Sequence, residues 1–257
     1  MNKSGLNFAV LKPIIDYALK EDIGSGDITT NSLIANDLKS CATMVAKSTG
    51  VIAGLGVAEY IFQTLSSDII FKAFVNDGDH VVKGDLILEV SGSYRALLTG
   101  ERLALNFLQR MSGIATMTAN CVSAVAEYKT KILDTRKTVP GLRLLDKYAV
   151  MIGGGKNHRI GLYDMVLIKD NHIKVAGGIA EAVAQIRKNV SDAIKIEVET
   201  TTIQEVKEAL AALVDIIMLD NMNTAEMAES VKLISGHAKV EASGNMTLER
   251  LKEVAAT

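Results

Sequence analysis

The sequence predicts an α/β protein of two parts, because the pattern of strand-like runs changes once along the chain. Residues 40–92 contain short β-rich runs separated by turn signals such as Asn-Asp-Gly-Asp at 76–79, which is typical of antiparallel strands. After a long helix predicted over 100–128, strand-like and helical runs alternate. Such alternation predicts a parallel sheet, and a closed one is a (β/α) barrel. We expect a small domain over 1–100 and a barrel over 101–257.

Separate signals predict the individual elements. Apolar residues at helical spacing predict a helix within the first 20 residues. Thr202 with Glu205, and Asn223 with Glu226, have the spacing of capping boxes at helix starts. The five predicted strands of the second part cover residues 131–134, 165–168, 193–198, 215–219 and 239–242.

Composition and charge exclude several classes of protein. The 257 residues are 48% hydrophobic and 23% charged, which excludes a mainly disordered chain. The net charge of −2 gives no electrostatic footprint for nucleic acid, so any anion site must come from a local cluster of cations. Cys41 and Cys121 lie far apart in no CxxC pattern, which excludes a disulfide framework and indicates the cytoplasm. The most apolar long stretch, 97–128, carries too many charges to span a membrane.

Every predicted strand of the second part is followed by polar or charged residues. In a barrel, functional side chains lie at the carboxyl ends of the strands, so these positions predict one common site. The positions are 134–137, 169–172, Glu199, 220–221 and 243–245.

The chemistry of these positions suits a small anionic substrate with a metal ion. The cations are Arg136, Lys137, Arg159 and Lys169, and arginine grips carboxylates and phosphates through two hydrogen bonds. Glu199 and Asp220 would repel such an anion unless Mg²⁺ lies between them.

Two glycine-containing stretches are weaker signals for phosphate binding. Ser243-Gly244-Asn245 precedes a helix predicted from Thr247, whose N-terminus would offer N–H groups to a phosphate. The three glycines at 153–155 are followed at once by Lys, Asn, His and Arg. From composition alone, this stretch is either a turn or a loop that closes over phosphates.

Together these motifs resemble those of the quinolinate phosphoribosyltransferase family, in the family's order across nearly the whole chain. The matching segments are 21–30 (EDIGSGDITT), 100–106 (GERLALN), 112–116 (SGIAT), 134–138 (DTRKT), 140–143 (PGLR), 147–150 (KYAV), 153–159 (GGGKNHR), 167–172 (LIKDNH), 196–199 (IEVE), 218–221 (MLDN) and 241–245 (EASGN). The resemblance implies an N-terminal α/β sandwich domain, a barrel of the type II phosphoribosyltransferase kind, and a homodimer whose assembly builds the site. It implies a Mg²⁺-dependent reaction in NAD biosynthesis that joins quinolinate to phosphoribosyl pyrophosphate with loss of CO₂.

The resemblance also implies a role for each site residue. Arg102 would reach the quinolinate of the neighbouring subunit, and the catalytic residues would be Lys137, Lys169, Glu199 and Asp220. The quinolinate carboxylates would be held by Arg136, His158 and Arg159, and the anionic substrates would also contact Lys137 and Lys169. The Mg²⁺–pyrophosphate and ribose side would face Glu199 and Asp220. The 5′-phosphate would be bound by Ser243, Gly244 and Asn245.

Two departures from the family pattern leave alternatives open. Many relatives carry Arg at the position of Met151. The regular spacing of strand ends at 199, 220 and 243 predicts a further strand beyond Thr257, so we expect the barrel to lack its last strand and part of its phosphate cradle. The alternatives are a non-catalytic remnant, or a related phosphoribosyltransferase-like protein of the molybdate-operon type that acts on another anion.

Overall fold

The computed structural model describes residues 6–257 and divides them into two compact units. The first unit holds residues up to 122 together with 131–158, and the second holds 123–130 with 159–257. The predicted first helix begins at Phe8, and residues 1–5 of that predicted segment lie outside the described residues. The predicted domain limits, 1–100 and 101–257, stay a prediction. No helix of the described residues is long and apolar enough to cross a membrane.

The first unit contains the predicted antiparallel strands. Its elements are α1 (Phe8–Ile23), α2 (Ile28–Leu33), β1 (Lys39–Val45), β2 (Gly50–Val51), α3 (Leu55–Leu65), β3 (Ile70–Ala73), β4 (His80–Val81), β5 (Leu86–Ser93), α4 (Tyr94–Ala124) and α5 (Arg143–Ile152). The strands pair antiparallel in the order β1-β5-β3, and β2 pairs with β4. Leu88 of β5, Phe62 of α3 and Met111 of α4 lie in one fully buried core.

The second unit is a parallel βα repeat, as the alternation of apolar runs predicts. Its elements are β6 (Val166–Ile168), α6 (Asp170–Ala176), α7 (Ile179–Arg187), β7 (Ile196–Thr200), α8 (Ile203–Ala211), β8 (Ile216–Asp220), α9 (Thr224–Ile234), β9 (Lys239–Ser243) and α10 (Leu248–Ala255). The strands lie in the order β6-β7-β8-β9, and all neighbours are parallel. Ile196 and Ile217 are fully buried under the helices. The predicted absence of a last strand stays a prediction.

The predicted helix starts at Thr202 and Asn223 are confirmed, and the complete capping box forms at Asn223. The Thr202 hydroxyl accepts a hydrogen bond from the Glu205 N–H at the start of α8. At the start of α9, Asn223 accepts from the Glu226 N–H, while the Glu226 carboxylate accepts from the Asn223 N–H. These bonds satisfy N–H groups that have no partner within the helix.

Three local predictions differ from the structure. The predicted strand 131–134 forms only an isolated parallel bridge between Leu133 and Lys156, because the next N–H group, that of His158, donates to the Asp134 side chain instead. The predicted helix 100–128 is wrong at both ends, since α4 begins at Tyr94 and ends at Ala124. Helix α5 is not predicted because two of its five consecutive buried residues, Asp146 and Lys147, are charged, so polar residues do not mark its exposed face.

The glycines at 153–155 form a turn packed tightly against α4. A methyl group on Gly153 would lie 2.4 Å from the Ala115 carbonyl oxygen. One on Gly155 would lie 2.7 Å from Val150 Cγ1, and Gly154 has a positive φ of 88°. Close packing around this turn therefore explains why glycine occupies these positions.

The Gly153→Ala variant should lose about 1–3 kcal/mol of unfolding free energy, because the clash is with a helix backbone that moves little. Gly113→Ala is the matched control, since Gly113 lies in α4 with no neighbouring atom in the way. That change should be neutral or stabilising by about 0.5–1 kcal/mol. Chemical denaturation of both variants measures the difference, and equal stabilities would contradict the packing argument.

Candidate functional site

Polar residues of the second unit meet at the carboxyl edge of its sheet. Lys169 directly follows β6, Glu199 lies near the end of β7, and Asp220 and Ser243 end β8 and β9. Asp220 and Ser243 are paired positions on neighbouring strands. The structure therefore brings four predicted site residues of this unit to one edge.

An ion pair links the first two strands at this edge. Lys169 Nζ lies 2.5 Å from Glu199 Oε2, with 47% of the Lys169 side chain and 16% of the Glu199 side chain exposed. Because the lysine is half exposed, it is open to a ligand while it balances the glutamate charge. His172 caps helix α6 with its Nδ1, which accepts from the Lys169 N–H (3.0 Å).

The turns after β8 and β9 are locked to each other. The Asn221 N–H donates to the Ser243 carbonyl oxygen (3.0 Å), and the Asn245 amide donates to Asn221 Oδ1 (3.1 Å). Asn221 and Asn245 both adopt positive φ, at 55° and 50°. Gly244 also has a positive φ, of 89°, and a methyl group there would lie 2.2 Å from Asn221 Oδ1. The backbone at 243–245 is thus held in one conformation.

Arg250 of α10 forms hydrogen bonds with the same two turns. Its guanidinium donates to the Gly244 carbonyl oxygen (3.1 Å) and to the Met222 carbonyl oxygen (2.8 Å). Sequence reasoning missed this residue, because no motif at 241–245 indicates a tie to the following helix.

The first unit contains a cavity of about 570 Å³ beside the segment 134–140. Its lining includes Lys137, a predicted site residue, but not Arg136 or His158. The lining residues are Arg110, Ile114, Asp134, Thr135, Lys137, Thr138, Val139, Pro140, Asp146, Lys147 and Val150.

Two ion pairs form part of the cavity wall. Arg110 donates to both carboxylate oxygens of Asp146, at 2.8 and 2.7 Å, and this hydrogen bonding raises the pKa of Arg110. Lys147 pairs with Asp134, and both side chains are almost fully buried. Tyr148, the next residue of α5, donates to Asp77 (2.7 Å), and its pKa is raised mainly by burial.

Arg136 carries an unsatisfied donor. Its Nε is buried and has no hydrogen-bond partner among residues 6–257, which is costly unless a ligand supplies the acceptor. Arg143 holds the loop around it, since its side chain donates to Thr138 Oγ1 (3.1 Å) and to the Arg136 carbonyl oxygen (3.4 Å).

Two further predicted site residues are Arg102 and Arg159. Arg102 is exposed on α4. The Arg159 guanidinium donates to the Met165 carbonyl oxygen (3.2 Å) in the second unit. Both cysteines are free, and burial raises the pKa of the Cys121 thiol, which makes it less reactive.

Several residues of these clusters were given no individual role by the sequence, although Asp134 lies in the predicted strand-end segment 134–137. Asp134, Arg143 and Lys147 stand in the motifs quoted above, so the sequence held a signal for them. Arg110 and Asp146 carried none, because the two residues stand 36 positions apart in sequence, on different helices.

Comparisons with known proteins agree along the whole length. Residues 27–112 match the family model "Quinolinate phosphoribosyl transferase, N-terminal domain", and 114–257 match the corresponding C-terminal domain. A relative from Synechocystis, "Probable nicotinate-nucleotide pyrophosphorylase [carboxylating]", is 47% identical over 96% of this chain and 85% of its own length. One of the same name from Bacillus subtilis is 45% identical over 96% and 85%. The crystal structure of NadC from Streptococcus pyogenes superposes with a TM-score of 0.94, at 42% identity over 97% of this chain and 88% of that one.

The fold and the polar and charged residues at its strand ends suit an α/β phosphoribosyltransferase, and the structural match confirms the predicted fold class. The chain belongs to the quinolinate phosphoribosyltransferase family. It is a pentosyltransferase, and neither the non-catalytic remnant nor the molybdate-operon type is favoured by these relatives.

Proposed function

We propose that the protein transfers the phosphoribosyl group of phosphoribosyl pyrophosphate to quinolinate, giving nicotinate mononucleotide, pyrophosphate and CO₂ for NAD biosynthesis. The observation that carries this proposal is the buried, unsatisfied Nε of Arg136 within a family motif. A carboxylate of the pyridine diacid is the acceptor that such a guanidinium lacks.

The quinolinate end of the reaction uses the cations. Arg136, His158 and Arg159 hold the two carboxylates in this proposal, and Lys137 and Lys169 balance the remaining charge. Lys137 suits this role because it is exposed and lines the cavity of the first unit. Arginine offers fixed paired donors, whereas lysine acts as a point charge, so orientation falls mainly to the arginines.

The phosphoribosyl end uses the carboxyl edge of β7–β9. Ser243, Gly244 and Asn245 hold the 5′-phosphate, supported by a backbone locked in one conformation. Glu199 and Asp220 suit Mg²⁺, since they are carboxylates on adjacent strands and the ion prefers one or two carboxylates together with substrate phosphates. When bound, Mg²⁺ neutralises pyrophosphate charge.

The chain's own residues stabilise the charges that separate during transfer. As the bond from ribose C1 to pyrophosphate breaks, the sugar becomes cationic, and Glu199 and Asp220 are the acids on that side. The ring nitrogen of quinolinate then bonds to C1, which makes the ring positive. The bond to the adjacent carboxylate breaks, its electron pair stays on the ring carbon, CO₂ leaves, and that carbon takes up a proton. Holding both substrates in register supplies about 7–11 kcal/mol of such a barrier.

We further propose a cytoplasmic homodimer in which Arg102 reaches the site of the neighbouring subunit. Its exposure at the surface of α4 supports this role, because an arginine facing solvent is available to a second copy. Two free cysteines, one of them exposed, suit a reducing compartment.

The purified protein with quinolinate, phosphoribosyl pyrophosphate and Mg²⁺ tests the function directly. Chromatography should detect nicotinate mononucleotide, and a chelator should abolish its formation. Bound substrate without product would favour a non-catalytic protein, and turnover of another anion alone would favour a different transferase.

A paired glycine experiment tests the phosphate cradle. Gly244→Ala combines positive φ with a clash against Asn221, so we expect the KM for phosphoribosyl pyrophosphate to rise about 10-fold or more. Gly236→Ala is the control, since Gly236 has a similar φ of 80° with no atom in the way. Steady-state kinetics should show an unchanged KM for the control, and the same result for Gly244→Ala would remove this segment from the phosphate site.

A further inference from the structure

Lys147 and Asp134 form an ion pair that is almost fully buried. Only 3% of the Lys147 side chain and 6% of the Asp134 side chain are exposed. Burying two charges is costly unless each forms further hydrogen bonds, and well-packed apolar residues often stabilise a core at least as well. Stability alone is therefore a weak reason for this pair.

Its hydrogen bonds converge on the backbone of one predicted site residue. Lys147 Nζ donates to Asp134 Oδ1 and to the His158 carbonyl oxygen (3.0 Å). The His158 N–H donates to the same Asp134 Oδ1 (2.8 Å). The ion pair thus fixes the polar backbone groups on both sides of the His158 side chain.

Asn157 forms hydrogen bonds with both residues of the ion pair. With its amide nitrogen facing the pair, Asn157 donates to Asp134 Oδ2 (2.6 Å) and to the Lys147 carbonyl oxygen (2.9 Å). Asp134 also lies two residues before Arg136, so one carboxylate anchors the segments that present both Arg136 and His158. Because the Lys147 ammonium already has two acceptors, it suits holding these segments better than gripping a substrate.

The geometry points to Lys147 and Asp134 as positioning residues, which set the direction of the His158 and Arg136 side chains toward the carboxylates of the pyridine substrate. This inference rests on the proposed function, because it assigns those side chains to quinolinate. The phosphoribosyl end has its own supports in the second unit, namely Arg250 and Asn221. Loss of the ion pair should therefore affect the two substrates unequally.

The variants for the test remove one or both charges. Lys147→Met removes the ammonium, and Lys147→Met with Asp134→Asn removes both charges, which keeps the test possible if the single variant fails to fold. Tyr148→Phe is the matched control. It removes a buried hydrogen bond from the next residue of the same helix, one directed to Asp77 and not to His158.

The first readout is the environment of the His158 backbone amide, which the ion pair contacts directly. The chain has four histidines, so labelling them with ¹⁵N gives four backbone amide signals, and a His158→Gln variant assigns the one in question. We expect the His158 signal to move in both charge variants and to stay in place in Tyr148→Phe. An unmoved His158 signal in a folded charge variant would overturn the inference.

The second readout is the split between the substrates. In the charge variants, we expect the KM for quinolinate to rise about 10- to 100-fold, because small misplacements of binding groups have effects of this size. The KM for phosphoribosyl pyrophosphate should stay within about 2-fold of the original. Equal changes in both KM values, or the same quinolinate change in Tyr148→Phe, would indicate a merely structural role.

Failure of the proposed function can be distinguished from failure of this inference. If the unaltered protein forms no nicotinate mononucleotide and does not bind quinolinate in calorimetry, the proposed function fails. The His158 signal still reports whether the ion pair positions this residue. A shifted signal without any change in quinolinate affinity would overturn the link to the substrate alone.

Discussion

Arg136→Ala is expected to remove most of the affinity for quinolinate. The buried Nε of Arg136 has no partner among the described residues, so substrate binding would satisfy a donor that the folded chain leaves unpaired. Hydrogen bonds to charged groups contribute about 1.5–3 kcal/mol each. Two such bonds to one carboxylate therefore correspond to at least about a 100-fold loss in affinity. Isothermal calorimetry with quinolinate alone measures it.

The control for this change is Arg187→Ala. Arg187 pairs with Asp215 at 3.1 Å, next to the amino end of β8 and thus at the opposite end of the strands from Lys169 and Glu199. It makes the same change of charge, with an expected effect on quinolinate affinity of less than about 2-fold. Unchanged binding in Arg136→Ala, or equal losses in the two variants, would exclude the proposed role of Arg136.

The fold was predictable where one physical period dominates the sequence. Strands β6–β9 and their helices follow from apolar runs, and the caps at Thr202 and Asn223 follow from local hydrogen bonding. Helix α5 was missed because its buried residues include the charged Asp146 and Lys147, so charge does not mark its exposed face. The predicted strand at 131–134 was wrong because a side-chain acceptor, Asp134, replaces the backbone ladder.

The candidate site, like the fold, was only partly predictable from the sequence. Lys169, Glu199, Asp220 and Ser243 were predictable as neighbours, since parallel strands bring their carboxyl ends to one edge. Their supports were not, because the ties of Arg250 to two turns and of Arg110 to Asp146 depend on tertiary packing between distant segments. Sequence patterns thus identify groups that bind substrate more readily than groups that position them.

Lys169→Met is expected to lower kcat/KM strongly, which is the second large effect after that of Arg136→Ala. The Lys169 ammonium nitrogen lies 2.5 Å from Glu199 Oε2. Removing the ammonium leaves the Glu199 and Asp220 carboxylates without a balancing charge at the sheet edge that we propose binds anionic substrates. Loss of one preorganised charge in an active site costs about 10²–10³ in rate. Stability should change by at most about 1 kcal/mol, because the lysine is half exposed.

Lys174→Met separates this role from a general loss of positive charge. Lys174 is an exposed lysine of α6, the helix that Lys169 directly precedes, so the two variants have equal net charge and differ in contact with Glu199. Steady-state kinetics should show Lys174→Met within about 2-fold of the original enzyme. Adding Glu199→Gln to Lys169→Met removes both partners. Without Mg²⁺, we expect this double variant to bind phosphoribosyl pyrophosphate more tightly than Lys169→Met alone, because the unbalanced carboxylate is gone. Weaker binding by the double variant without Mg²⁺ would mean that Glu199 does not act on the anion through its charge.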